Sequence, residues 1–281
     1  TGAVASPSYG IAFIGTGDFT LNNASNTIST IASISTKIGS LTINNAYTLT
    51  IGSVAVKSVT YSGLNSSGDI DLTSQTTTTN ALSSTVAISA DGDINISGTA
   101  TTGRGISFTG ALTATDIYLE GNTSTGIAVS STGLMTAGSI TIEGNATTAT
   151  SIVSLGAMTL NRAQGDLLVT ANNTSAGSNT GITQTGTITG ASGSDITFVS
   201  NNAISQSGAL SLAANVSGAA ATVTYDTTSG SRLSTISGGT LTIASTSSTS
   251  PINYVMKSSG SALDPGTVGT SSVRLPGYIL I

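Results

Sequence analysis

Histidine, cysteine and tryptophan are absent from this 281-residue chain, and charge is scarce, with 7 Lys+Arg and 12 Asp+Glu. Charged residues make up 7% of the chain, where an ordinary domain carries about 25%. Without His or Cys, zinc ligation and nucleophile–histidine catalysis lose their usual groups, and no disulfide framework exists. The seven basic residues (Lys37, Lys57, Arg104, Arg162, Arg232, Lys257, Arg274) stand singly, and the formal net charge is -5. Nucleic acid needs clustered Lys and Arg, so it is excluded as a partner. No apolar run reaches the about 18 residues that a membrane-spanning helix requires, so no membrane span is expected. Aromatics are only 4% of the chain and prolines number 4. There is no initiator Met and no signal peptide, and the expectation is a processed product or a piece of something longer.

What is present is repetition. Apolar residues make up 38% of the chain and the mean hydropathy is +0.28, so the Ser, Thr, Asn and Gly content does not read as disorder. One phrase recurs: a small residue, Asp or Ser, then apolar residues flanking one other residue. It appears as Gly68-Asp69-Ile70-Asp71-Leu72, Gly92-Asp93-Ile94-Asn95-Ile96 and Thr115-Asp116-Ile117-Tyr118-Leu119. It returns as Gly138-Ser139-Ile140-Thr141-Ile142, Gly165-Asp166-Leu167-Leu168-Val169 and Ser194-Asp195-Ile196-Thr197-Phe198. Successive starts lie 24, 23, 23, 27 and 29 residues apart, a period that marks one supersecondary unit stacked many times.

Between the phrases lie further short apolar segments, such as Gly105-Ile106-Ser107-Phe108 and Ala111-Leu112-Thr113-Ala114. Apolar residues two apart predict strands with one side inward, and punctuation such as Gly121-Asn122-Thr123 supplies corners. Three short strands per coil of roughly 23 residues predict an all-β fold, a parallel β-solenoid or β-helix. Twelve or so coils at ~4.8 Å each would make a rod of roughly 55–60 Å. A sandwich or barrel does not require one phrase at every third strand, and no 3.6-residue pattern predicts helix.

The chain divides by cadence into residues 1–67, residues 68–218, which are the most regular, and residues 219–281, with three of the prolines (Pro251, Pro265, Pro276). Solenoid ends need covering. The apolar ending Tyr278-Ile279-Leu280-Ile281 is therefore expected to dock, in its own last coil, in the next segment of a longer precursor, or in another subunit.

The cadence of Asp18-Phe19-Thr20-Leu21-Asn22-Asn23-Ala24-Ser25-Asn26-Thr27-Ile28 resembles the filamentous haemagglutinin-type bacterial surface adhesins, which are two-partner-secreted β-strand-repeat exoproteins. So does that of Gly39-Ser40-Leu41-Thr42-Ile43-Asn44-Asn45-Ala46-Tyr47-Thr48-Leu49-Thr50-Ile51-Gly52-Ser53-Val54. The resemblance covers most of the chain as a style of repeat and is sharpest over 17–72. It implies a right-handed β-helix, export through an outer-membrane secretion partner, and work as an extended fibre or adhesin at the cell surface. The family's amino-terminal secretion domain is not evident, which points to a place inside or towards the end of a longer precursor.

For chemistry, Asp69, Asp93, Asp116, Asp166 and Asp195 hold equivalent positions and should form a column. They read as short acceptors for local backbone N–H groups at the turn before each strand. The sharper alternative is a Ca²⁺ site among Asp69, Asp71, Asp91 and Asp93, since Ca²⁺ takes several oxygen ligands. No other cofactor is indicated, and the carboxylate-plus-base clusters of polysaccharide-cleaving β-helices are missing, so no catalytic residues are expected. The runs Thr76-Thr77-Thr78-Thr79, Thr101-Thr102 and Thr147-Thr148 lack the Thr-x-Thr spacing of an ice-binding face and read as solvated corners. Asn122, Asn145 and Asn173 recur as turn residues or a stacked amide ladder. They belong to eight Asn-x-Ser/Thr sequons, with Asn23, Asn65, Asn95, Asn172 and Asn215, which is near what chance gives. Among the aromatics, Tyr118 is the clearest outward-facing candidate for contact with glycans.

Three functions remain open: a shaft segment contacting its own neighbours and host or neighbouring cell surfaces, a subunit that stacks head to tail into filaments, and a glycan-binding or polysaccharide-acting module. A phage fibre, tested by an intertwined trimer, is a further alternative.

Overall fold

The computed structural model describes residues 2–33, 36–149, 151–174, 180–212 and 221–227, together with the backbone of strands Ile236–Ser237, Leu241–Ile243, Ile252–Lys257 and Leu263–Asp264. Every regular element among them is a β-strand. Three parallel sheets of 11, 8 and 10 strands run along the stack, and each strand pairs with the equivalent strands of the coils before and after. One coil visits the 10-stranded sheet at Asp116–Thr123, the 11-stranded sheet at Val129–Ser131 and the 8-stranded sheet at Met135–Ala137. The next coil repeats the circuit at Ser139–Ala146, Ser151–Leu155 and Met158–Leu160. The chain is a β-solenoid with three strands per coil, as the spacing predicts.

The recurring phrase starts the strand of the 10-stranded sheet in each coil. Its first apolar residue forms one internal column, Ile70, Ile94, Ile117, Ile140, Leu167, Ile196 and Val223, and its second another, Leu72, Ile96, Leu119, Ile142, Val169, Phe198 and Tyr225. All of these are buried. The amino-terminal phrases join the same columns, with Phe19 on Leu41 and Leu41 on Ile70. The 8-stranded sheet contributes Leu64, Ile88, Leu112, Met135, Met158, Ile188 and Leu210. Burying each such side chain stabilises the fold by about 1.5–3 kcal/mol.

Volume is balanced along a column as well as across it. Ile51, Ser84, Phe108, Ser131 and Leu155 follow one another in the 11-stranded sheet, so the Phe108 ring lies between two small residues. Near the carboxyl ends of the strands of the 10-stranded sheet, the inward position is held by Ser74, Gly98, Gly121, Gly144 and Ala171. A Cβ on Gly121 would collide with the carbonyl of Ala128 and one on Gly98 with that of Gly105, which accounts for glycine in those two coils.

Among the described residues, coils are fewer than the period alone suggests. The 10-stranded sheet makes nine inter-coil steps, or about 43 Å at ~4.8 Å each, against the twelve or so coils and 55–60 Å expected from sequence. Coils differ in length, and one carries an insertion. Ser53–Val56 and Val59–Ser62 form an antiparallel hairpin between the strands Leu49–Ile51 and Leu64–Ser66. Lys57 takes a left-handed φ of 54° in its turn. The hairpin is absent from the expectations above, because period-two alternation is the same for a hairpin and for a solenoid strand.

Candidate functional site

The Asp column exists, but it works between coils and not within a turn. Asp69 Oδ1 accepts the main-chain N–H of Asp93 at 2.9 Å, Asp93 Oδ1 that of Asp116 at 3.1 Å, and Asp116 Oδ1 that of Ser139 at 2.7 Å. Asp18 does the same for Ser40 at 2.7 Å and Asp195 for Thr222 at 2.6 Å. Ser139 and Ser40 substitute a hydroxyl, accepting the N–H of Asp166 at 3.2 Å and of Asp69 at 3.3 Å. The cause lies in the ladder. Ile70 N–H donates to the carbonyl of Asp93, the first rung of that pair. The N–H of Asp93 precedes the rung and faces no carbonyl, so a short side chain from the coil below must accept it.

This accounts for the candidate calcium ligands differently. Asp69 is engaged with the Asp93 N–H, Asp71 accepts a bond from Asn95 Nδ2 at 2.9 Å, and Asp91 pairs with Lys37 two coils away. The four carboxylates are each drawn to a separate neighbour and do not converge. Among the described residues no group of three or more His, Cys, Asp or Glu is placed to hold a metal. Tyr278, Ile279, Leu280 and Ile281 lie outside the described residues.

The richest outward-facing strip lies elsewhere on the 10-stranded sheet. Tyr118, Glu120 and Asn122 alternate with buried residues on Asp116–Thr123, and Thr141, Glu143 and Asn145 do so on the next coil. Asn172 Nδ2 donates to Asn145 Oδ1 at 3.2 Å, Asn145 Nδ2 to Asn122 Oδ1 at 3.1 Å, and Asn122 Nδ2 to Glu120 Oε1 at 3.1 Å. Ser97 Oγ donates to the other Glu120 oxygen at 3.2 Å. Burial, the charges of Glu143 and Glu120, and a hydrogen bond to Glu143 push the Tyr118 phenol up to about 12. The amide ladder expected at Asn122, Asn145 and Asn173 is therefore real for the first two, but its third member is Asn172. Asn173 pairs with Ala146 on the inward side and is buried, donating to Ala149 O at 3.1 Å. These residues stand on strands and not in corners.

Glu120 and Glu143 were not singled out from sequence. Their signal is the triplet Glu-Gly-Asn at residues 120–122 and again at 143–145. Beside the ladder the surface dips into a cleft of about 320 Å³, lined by Thr99, Thr101, Asn122, Ser124, Asn145 and Thr147 among others. Of the remaining tyrosines, Tyr9 and Tyr47 are exposed, while Tyr225 is buried against Phe198 with ring centroids 5.3 Å apart. No model of a protein family matches this chain, and comparisons with curated proteins and with solved structures find no match either.

Proposed function

We propose that this chain is a non-catalytic segment of a secreted bacterial surface fibre or adhesin, acting as an extended structural shaft. The observation that carries this reading is how the polar side chains are used. The Asp and Ser column, the amide ladder and the ion pair of Arg162 with Asp116 all tie one coil to another. A chain that spends its few charges on registration suits a load-bearing spacer. The likeness of residues 17–72 to filamentous haemagglutinin-type repeats supports export to the cell surface. Immunogold labelling of intact source cells tests it: surface label that external protease removes is expected, and retention in the cytoplasm would overturn it.

A second reading is a subunit stacking head to tail, in which the parallel ladders that join coil to coil also join one chain to the next. A free strand edge templates pairing with another chain. Electron microscopy separates the two readings, because discrete short rods favour the shaft segment and long filaments the stacking subunit.

A further inference from the structure

We propose that the cleft beside the Asn122–Asn145–Asn172 ladder binds a neutral, linear polysaccharide laid along the solenoid axis. The cleft crosses four consecutive coils, contacting residues 99–101, 122–124, 145–147 and Thr174. Its volume of about 320 Å³ is at the small end of the range for ligand sites. The outward lining consists of the hydroxyls of Thr99, Thr101, Ser124, Thr147 and Thr174 and the amides of Asn122 and Asn145, with no charged side chain. A ligand matched to it is uncharged and rich in hydroxyls.

The ladder supplies the recognition groups. Each asparagine uses one amide hydrogen on its neighbour, which leaves a second hydrogen on Nδ2 and spare acceptor capacity on Oδ1. One donor and one acceptor therefore recur on each of the three coils that carry Asn122, Asn145 and Asn172, ~4.8 Å apart. A sugar hydroxyl both donates and accepts, and an extended chain of pyranose rings repeats at close to this distance. Beside the ladder, Glu120 and Glu143 offer charged acceptors for sugar hydroxyls, and Tyr118 adds an aromatic ring to the strip. The same two carboxylates, on a chain of net charge -5, disfavour a polyanionic glycan.

Affinity electrophoresis of the whole chain through gels containing a soluble linear β-glucan, a xylan, a mannan or, as polyanion, alginate tests this. Retardation by at least one neutral polysaccharide and none by alginate is expected. Asn145→Asp, which removes the donor at the middle rung, should weaken binding roughly tenfold or more. A second variant, Thr101→Lys with Thr147→Lys, fills the cleft from exposed corner positions and leaves the ladder intact. It should abolish retardation while leaving the melting temperature unchanged. No retardation by any neutral polysaccharide, retardation by alginate alone, or retardation unchanged in the Lys variant would overturn the proposal.

Discussion

Glu120 and Glu143, the only glutamates in the chain, stand in direct register on adjacent coils. Like charges paired across a ladder destabilise it. Neither carboxylate is left bare, since Asn122 and Ser97 donate to Glu120 and Tyr118 is bonded to Glu143. The chain tolerates this repulsion at one rung of a sheet whose other outward positions are mostly neutral.

Tyr118 reports on that rung. Burial and the two glutamates hold its phenol in the neutral form, raising its titration from 10.0 to about 12. The folded state therefore keeps a proton that the unfolded state gives up first, so stability is intact below about pH 10 and falls as pH rises through about 12. Ultraviolet titration of tyrosinate in the parent and in Tyr118→Phe should isolate this late component by difference. Glu143→Gln should move it towards lower pH, and an unmoved midpoint would contradict the assignment.

The inter-coil role of Asp116 predicts a local effect. Asp116→Ala strands the N–H of Ser139 and should cost about 1–2 kcal/mol, with faster amide exchange concentrated at Ser139. Asp116→Asn retains an oxygen at the same place and should cost less. The ion pair of Asp116 with Arg162 is exposed, so Arg162→Ala should change stability little by comparison.

The column of small residues near the strand ends sorts two similar substitutions. On Gly121 a new Cβ meets the Ala128 carbonyl, which is fixed in the backbone, whereas on Gly144 it meets the Val153 and Ile152 methyl groups. Gly121→Ala should therefore destabilise by about 1–3 kcal/mol and Gly144→Ala by less, as read from denaturant midpoints.

Ser131 Oγ is fully buried with no hydrogen-bond partner. Ser131→Ala removes an unsatisfied hydroxyl from beside Phe108 and should raise stability by about 1 kcal/mol. A loss of stability on thermal melting would show that the hydroxyl is satisfied in solution.

The fold was legible because one phrase marks one place. Ile70, Ile94, Ile117 and Ile140 can be aligned by eye, and the alternation around them gives the inward side without coordinates. The ladder was legible only in part: choosing Asn173 over Asn172 is a slip of one residue, and in a strand one residue is the difference between solvent and core. The partner of each Asp was not legible, because spacing places the side chain but does not say which N–H lacks a carbonyl. The hairpin at Ser53–Ser62 stayed hidden for a related reason, since only its turn, at Lys57, departs from strand conformation.

The Asp and Ser column has a consequence for how the chain reaches its final form. Its bonds join residues 22, 23, 24, 27 or 29 apart in sequence and never more. Closing a loop of that size carries an entropic cost that grows only with the logarithm of its length. Every coil, however far along, therefore faces nearly the same small search. A parallel sheet of ten strands would ordinarily be slow to assemble because its partners are distant. Here the newest coil needs only the one before it, whose unfilled acceptor waits for the next N–H. The structure can grow like a zipper in the order in which the chain emerges, and its folding time should rise with the number of coils and not with the reach of any one contact.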